Sequence, residues 1–250
     1  MNIFLSTNDV IYGNDIVDLN VPDTSIEHLN LRFINKICTE NEKKNFFSML
    51  EKPTKISLKE MLVNLWTIWS LKESSYKTVS RIYFIPFRYK EFEVQKGFNN
   101  TIYKKFLLNN IIYNNSDFIL TLTYFSGKMN LNKTSESHFI FLSWLKIKNE
   151  LQREYENYSH QIRKYINQTL YNIFKIKTKV FRKYAQEEEI FMPPYLYFDK
   201  KFYPISLSHH GRFLLFTLAI KKDNLSIFSN YYYNQIIKIS KNHYLIIDKN

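Results

Sequence analysis

At 250 residues the chain can bury a core without disulfides, in one domain or two small ones, and its single cysteine, Cys38, excludes an intramolecular disulfide and a cysteine-ligated zinc site. No signal-peptide signature opens the sequence and no apolar run reaches the length of a membrane span, so the expectation is a soluble cytoplasmic protein with no membrane partner. The formal charge of +12 is concentrated, with 17 Lys and Arg against 7 Asp and Glu from Phe84 to Tyr184, which favours anionic partners: nucleic acid, a phosphorylated cofactor or an acidic protein.

Val10 to Leu19 reads V-I-Y-G-N-D-I-V-D-L and predicts a short strand interrupted at Gly13-Asn14-Asp15. If pairing runs through Asp15, then Asp15 and Val17 share one face, and Ile16 and Asp18 the other. Asp is depleted in strands, so Asp15 signals a role there; the competing reading is a solvated turn corner. Leu29 to Ile37 is amphipathic and predicts a helix. Thr39-Glu40-Asn41-Glu42 spells a capping box for a helix running to about Leu50, before Pro53. Ser57, with Glu60 three residues on, marks the start of a long helix carrying Leu62 to Lys77.

Along that helix Leu62, Leu65, Trp69, Glu73 and Tyr76 recur at spacings of three or four, so one stripe should face the core and take a carboxylate with it. An unpaired carboxylate in a core is costly, so Glu73 needs a cation, a metal ion or a cavity. Alternatively, Lys77 four residues on pairs with it and Lys72 sits in solvent.

From Ile82 the pattern turns to strands: I-Y-F-I-P-F, E-F-E-V, F-I-L-T-L-T-Y-F and H-F-I-F-L-S-W-L, with Asn-rich pieces around Asn99, Asn109 and Asn114 read as loops. Leu151 to Phe174 returns to helical spacing, with Arg163, Lys164, Lys175 and Lys177 on its outer face and end. After Pro193-Pro194 a strand resumes with a turn near Asp199. In Pro204 to Ile220, Ser206 and Ser208 alternate with Ile205 and Leu207, and His209-His210-Gly211 should bend before a further apolar strand. Adjacent imidazoles with flanking Ser and Arg212 suit a phosphate; zinc fits poorly, with no Cys and few spaced ligands nearby. The tail after Asp223 holds one strand-like run, H-Y-L-I-I-D.

Three motifs now stand in order: G-N-D-I-V-D-L, W-S-L-K-E-S-S-Y-K and S-L-S-H-H-G-R-F. Together they resemble the 4'-phosphopantetheinyl transferases, with their Gly-x-Asp strand, Trp-x-x-Lys-Glu-x-x-x-Lys helix and Ser-x-Ser-His element. Arg32 to Glu42, R-F-I-N-K-I-C-T-E-N-E, is similar to a stretch of the holo-acyl-carrier-protein synthase branch. The resemblance implies an α+β fold, antiparallel strands packed on the Lys-Glu helix, as one domain over 1–250 with about 96–193 a poorly matched insertion. It implies transfer of the phosphopantetheine arm of coenzyme A to a serine of an apo acyl or peptidyl carrier protein, as in fatty acid biosynthesis, with release of 3',5'-ADP. By resemblance Asp15 and Glu73 bind Mg2+, and Glu73, Lys77 and Lys72 are catalytic. Ser208 and His209 hold the nucleotide end of coenzyme A, and Arg32 and Phe33 meet the carrier protein.

Val17 stands where the secondary-metabolite branch has a third carboxylate. The basic residue that follows the first motif in the synthase branch is missing from V-P-D-T-S, which could shift carrier docking to basic residues later in the chain. The acidic motifs come first, as in the small synthase branch, but the chain has the length of the larger branch. A homo-oligomer follows if His209 completes the site of a neighbouring subunit. Two competing readings are a nucleic-acid-binding module using the basic, aromatic middle, and a family member that kept the fold without turnover. With no RNA-binding fingerprint beside those aromatics, nucleic acid is not the expected partner.

Overall fold

The computed structural model describes residues 11–47, 55–83, 85–125, 138–147, 155–182, 184–185, 190–221, 236–240 and 243–248. Val10, Leu50, Pro53, Phe84, Leu151 and the start of the tail at Asp223 lie outside them, as do the first residues read for a signal peptide. The chain divides into two compact units, Ile11–Met129, and Met1–Val10 with Asn130–Asn250. Both mix helix and sheet, so the α+β expectation holds.

In chain order the first unit is β1 (Ile11–Asp18), α1 (Leu31–Ile37), α2 (Glu40–Phe46), α3 (Lys55–Val79), β2 (Phe92–Val94), β3 (Asn100–Tyr103), β4 (Phe106–Asn114) and β5 (Phe118–Phe125). The strands form an antiparallel sheet in the order β1-β5-β4-β3-β2. β1 is not interrupted: Gly13, Asn14 and Asp15 pair with Thr123, Leu122 and Thr121. The capping box at Thr39 forms as expected, with Glu42 reaching back to the Thr39 N–H at 2.7 Å, but α2 ends at Phe46. Ser57 lies inside α3 rather than capping it.

Asn109 and Asn114 are not in loops; both belong to β4. Their neighbour Asn110 satisfies its amide across the sheet, donating to Thr101 Oγ1 and the Phe98 carbonyl and accepting from Thr123 Oγ1. An amide that pairs sideways in this way removes the reason Asn avoids strands. Conversely Ile82–Phe87 forms no strand among its described residues. Pro86 has no N–H to give a ladder, and Phe87 and Tyr89 pack on Tyr76 and Trp69 instead, at ring separations of 4.8 and 4.7 Å.

The stripe expected to face the core does so in part: Leu65 is buried in an apolar cluster, and Leu62, Trp69 and Tyr76 pack against apolar clusters while they and Glu73 stay partly exposed. The face toward the sheet is small and polar instead. Ser70 meets the Thr121 hydroxyl at 2.8 Å, Ser74 meets Thr123 at 2.7 Å, and Thr78 donates to the Thr123 carbonyl at 3.0 Å. Short side chains let helix and sheet approach closely, and mutual hydrogen bonds remove the cost of burying their hydroxyls. An apolar core adjoins that stripe, where Leu65, Ile68 and Leu71 pack with Ile34, Ile37, Cys38, Phe47 and Val94.

The second unit contains β6 (His138–Lys146), α4 (Tyr155–Phe174), β7 (Lys179–Phe181), β8 (Tyr184–Ala185), β9 (Ile190–Phe191), β10 (Tyr195–Phe198), β11 (Lys201–His210), β12 (Phe213–Lys221), β13 (Ile236–Ser240) and β14 (His243–Asp248). A seven-stranded sheet runs β13-β14-β6-β12-β11-β10-β7, antiparallel except for β14 beside β6. Its core joins Ile162, Tyr165, Ile166 and Leu170 of α4 to Phe141, Ile205, Leu214, Phe216 and Leu218. Asp199 and Lys200 form the expected turn, both at positive φ (48° and 58°), the geometry of a two-residue hairpin. The two histidines do not form a bend: β11 continues through His210, and Gly211 and Arg212 make the turn.

Candidate active site

Asp15 reaches α3 because Gly13, two residues earlier on the same face of β1, carries no side chain. A Cβ on Gly13 would stand 2.2 Å from the Ser74 carbonyl oxygen and 2.7 Å from the Thr78 nitrogen, so only glycine lets the strand lie against the helix backbone. At that contact the Lys77 ammonium donates to Asp15 Oδ1 and to the Asn14 carbonyl, each at 3.0 Å. Asp15 is buried while Lys77 keeps about a quarter of its side-chain surface in solvent (26%), so the pair can be approached from outside.

Glu73 lies one helical turn before Lys77. Burial pushes its carboxyl up to about 7; Lys77 works against that shift and the Asp15 carboxylate adds to it. Two carboxylates thus share one lysine, an excess of negative charge that a divalent cation would neutralise. Among the described residues no three His, Cys, Asp or Glu side chains cluster to hold a metal unaided. Asp15 and Glu73 could supply two ligands, a number that suits an ion completed by water and substrate phosphates. Tyr89, read as neither ligand nor base in the sequence, is also within electrostatic reach: burial first, then Glu73 and Asp15, raise its hydroxyl above the usual phenol value.

Lys72, adjacent in sequence, is neither in solvent nor gathered into this cluster. Fully buried, it donates to Glu42 Oε2 at 2.7 Å and to the carbonyls of Ile37 and Tyr89 at 2.9 and 3.0 Å. Burial holds its pKa below the usual lysine value, against the opposing pull of Glu42. Glu42, visible in sequence only as a cap, spends its other oxygen on the Val94 N–H at 2.7 Å. Nothing in the sequence marks it as a partner of a residue 30 positions away. Beside them the Cys38 thiol is pushed up to about 12, by burial and then by Glu42.

Arg32 is exposed on the first turn of α1, and Phe33 beside it packs against Trp66 and Trp69 at 5.7 and 5.8 Å, joining the open stripe that leads to Glu73. Ser208 and His209 belong to the other unit. Ser208 is buried; His209 is exposed at the end of β11 and stacks on Tyr158, with ring planes 3° apart and centroids 4.8 Å apart. The Tyr158 hydroxyl donates to the Gly211 carbonyl at 3.1 Å, which ties α4 to the same hairpin.

Residues 12–123 match the family model of the 4'-phosphopantetheinyl transferase superfamily, a span that takes in Asp15, Arg32, Phe33, Glu42, Lys72, Glu73 and Lys77. It continues past residue 96 to β5 and stops before Ser208 and His209. No curated protein and no solved structure matches the chain. The first unit's sheet, its Gly13–α3 contact and its paired acidic residues thus fall largely within one matched span: over residues 12–123 the chain is similar to the 4'-phosphopantetheinyl transferase superfamily.

Proposed function

We propose that this protein is a holo-acyl-carrier-protein synthase-type transferase, moving the 4'-phosphopantetheine arm of coenzyme A to a serine hydroxyl of an apo acyl or peptidyl carrier protein, such as that of fatty acid synthesis in the cytoplasm. The observation that carries this reading is the Asp15–Lys77–Glu73 cluster, with the Glu73 carboxyl near neutrality at the surface of the family domain. In the reaction the serine oxygen forms a bond to the β-phosphorus of coenzyme A. The bond from that phosphorus to the bridging oxygen breaks, and 3',5'-ADP leaves. A carboxylate with a pKa near 7 is suited to accept the serine proton, so Glu73 is the general base. Lys77 neutralises charge that builds on the phosphate oxygens. Asp15 and Glu73 would hold Mg2+, which would supply further neutralisation of charge on the pyrophosphate.

Lys72 takes a different role in this reading. Its ammonium is committed to Glu42 and two carbonyls, so it braces α3 and positions Glu73 rather than touching phosphate. Ser208 and His209 hold the nucleotide end of coenzyme A, completing the site of a neighbouring subunit, and Arg32 and Phe33 meet the carrier.

The test is intact-mass spectrometry of an apo carrier protein incubated with coenzyme A, Mg2+ and this protein. The expected result is a gain of one phosphopantetheine that requires Mg2+ and is lost in Glu73→Gln. Coenzyme A binding that ignores Mg2+, with no mass gain on acyl or peptidyl carriers, would overturn it.

A further inference from the structure

The asparagines that the sequence scatters through Asn64, Asn99, Asn110 and Asn114 converge on one place. α3 and β4 leave between them a cavity of about 350 Å³, lined by Val63, Asn64 and Thr67 of the helix, Asn110, Ile112 and Asn114 of β4, and the Gly97-Phe98-Asn99 turn. None of Asp15, Glu73 or Lys77 lines it, so it is separate from the site described above.

Its wall is built with care. Asn110 spends its whole amide on that wall, donating to the Phe98 carbonyl and to Thr101 and accepting from Thr123, while its backbone N–H donates to the Asn99 carbonyl at 2.9 Å. Phe98 is held at φ 63°, a conformation residues with a side chain seldom adopt, and its ring stacks on Phe46 at 4.5 Å. Gly97, at φ 83°, leaves the lip without a side chain. By contrast the side-chain amides of Asn64, Asn99 and Asn114 make no hydrogen bond to any described residue. Each offers a donor and an acceptor side by side. No charged side chain lines the space, although the chain as a whole carries +12.

We propose that this cavity binds an uncharged, flat ring that presents a hydrogen-bond donor and acceptor on one edge, as a nucleobase or an aromatic carboxamide does. Such an edge pairs with a side-chain amide in two bonds at once, and Val63, Ile112 and Phe98 supply apolar walls for the ring faces. An anion gains nothing from a lining without cations, so the site selects against the phosphates that the rest of the surface attracts. This inference does not depend on the transferase reading.

The test is ligand-observed NMR titration of the full chain with adenosine, uridine and nicotinamide, without Mg2+. Binding of the first or second alone identifies a nucleobase site, and of the third alone a carboxamide site. The expected result is saturable binding of at least one probe, weakened about fivefold to tenfold by Asn64→Ala or Asn114→Ala, the loss of one or two hydrogen bonds. Thermal stability and phosphopantetheine transfer should be unchanged in those variants, and Asp15→Ala and His209→Ala should bind as the parent does. If adenosine is the ligand, N6,N6-dimethyladenosine, whose edge donors are blocked, should bind at least as weakly as the variants do. The proposal is overturned if no probe saturates, if the Asn variants bind equally well, or if His209→Ala or Asp15→Ala abolishes binding, which would place the ring elsewhere.

Discussion

Two lysines five residues apart on α3 make the same kind of bond with opposite consequences. Lys72 meets Glu42 at 2.7 Å with both side chains fully buried, whereas Lys77 meets Asp15 at 3.0 Å with 26% and 10% of the side chains exposed. The first pair is closed: every oxygen of Glu42 and every proton donor of Lys72 has a protein partner, and α1, α2, α3 and β2 are tied together through it. The second is open at one end and shares its charge with Glu73. Solvent access, rather than residue type or distance, separates the closed pair from the open one.

Replacing each lysine by methionine breaks the comparison most directly. Lys72→Met leaves Glu42 charged and unpaired in the interior and should destabilise the fold by about 3–5 kcal/mol in chemical denaturation. A second substitution, Glu42→Leu, should recover part of that loss, because an apolar pair no longer strands a charge. Gly13→Ala comes next, at about 3 kcal/mol, because the added methyl meets helix backbone that cannot move aside. If Gly13→Ala is neutral, the strand does not lie against α3 as described.

Glu73→Gln tests the open site without substrate. The carboxyl is raised from 4.5 to about 7, so the fold binds a proton more tightly than the unfolded chain does. The parent therefore loses stability as pH rises from about 4.5 to 7 and stays penalised above that. At pH 8 without divalent cations the variant should be the more stable, by at most about 3 kcal/mol from the size of the shift, and by less because Glu73 is partly exposed. At pH 4 the difference should vanish; a difference that persists there assigns the effect to packing.

Lys77→Met should cost under about 1 kcal/mol of stability, as partly exposed pairs do, while transfer activity falls steeply. The smallest signal is chemical. Cys38, buried beside Glu42 with its thiol pushed up to about 12, should resist thiol reagents in the parent and in Lys77→Met. It should react measurably faster in Lys72→Met, where the brace is open. Equal rates in all three proteins would refute the distinction between the two pairs.

Local signals were legible wherever chemistry acts over a few residues. Thr39 and Glu42 predict their capping box, Asp199-Lys200 their turn, and the run from Phe118 to Phe125 its strand. Ile162, Tyr165, Ile166 and Leu170 predict the buried face of α4. The errors came where a distant partner changed a residue's preference. Asn109 and Asn114 read as loops because an isolated Asn disfavours strands, and the sheet into which Asn110 bonds could not be seen. The Leu-Trp stripe of α3 read as the core face and packs on apolar clusters, but the face against β5 is Ser70, Ser74 and Thr78, which bond to the Thr121 and Thr123 hydroxyls and the Thr123 carbonyl.

The sequence by itself determined the motif order, the charge, the helix bearing Glu73 and Lys77, and the strand bearing Asp15, because each is encoded by spacing or by neighbours. Only the tertiary structure decided which lysine is buried, that Glu42 rather than solvent receives Lys72, and that Gly13 is the point where strand and helix touch. Those outcomes depend on desolvation and on steric contact between residues 30 to 65 positions apart, and no local pattern carries either.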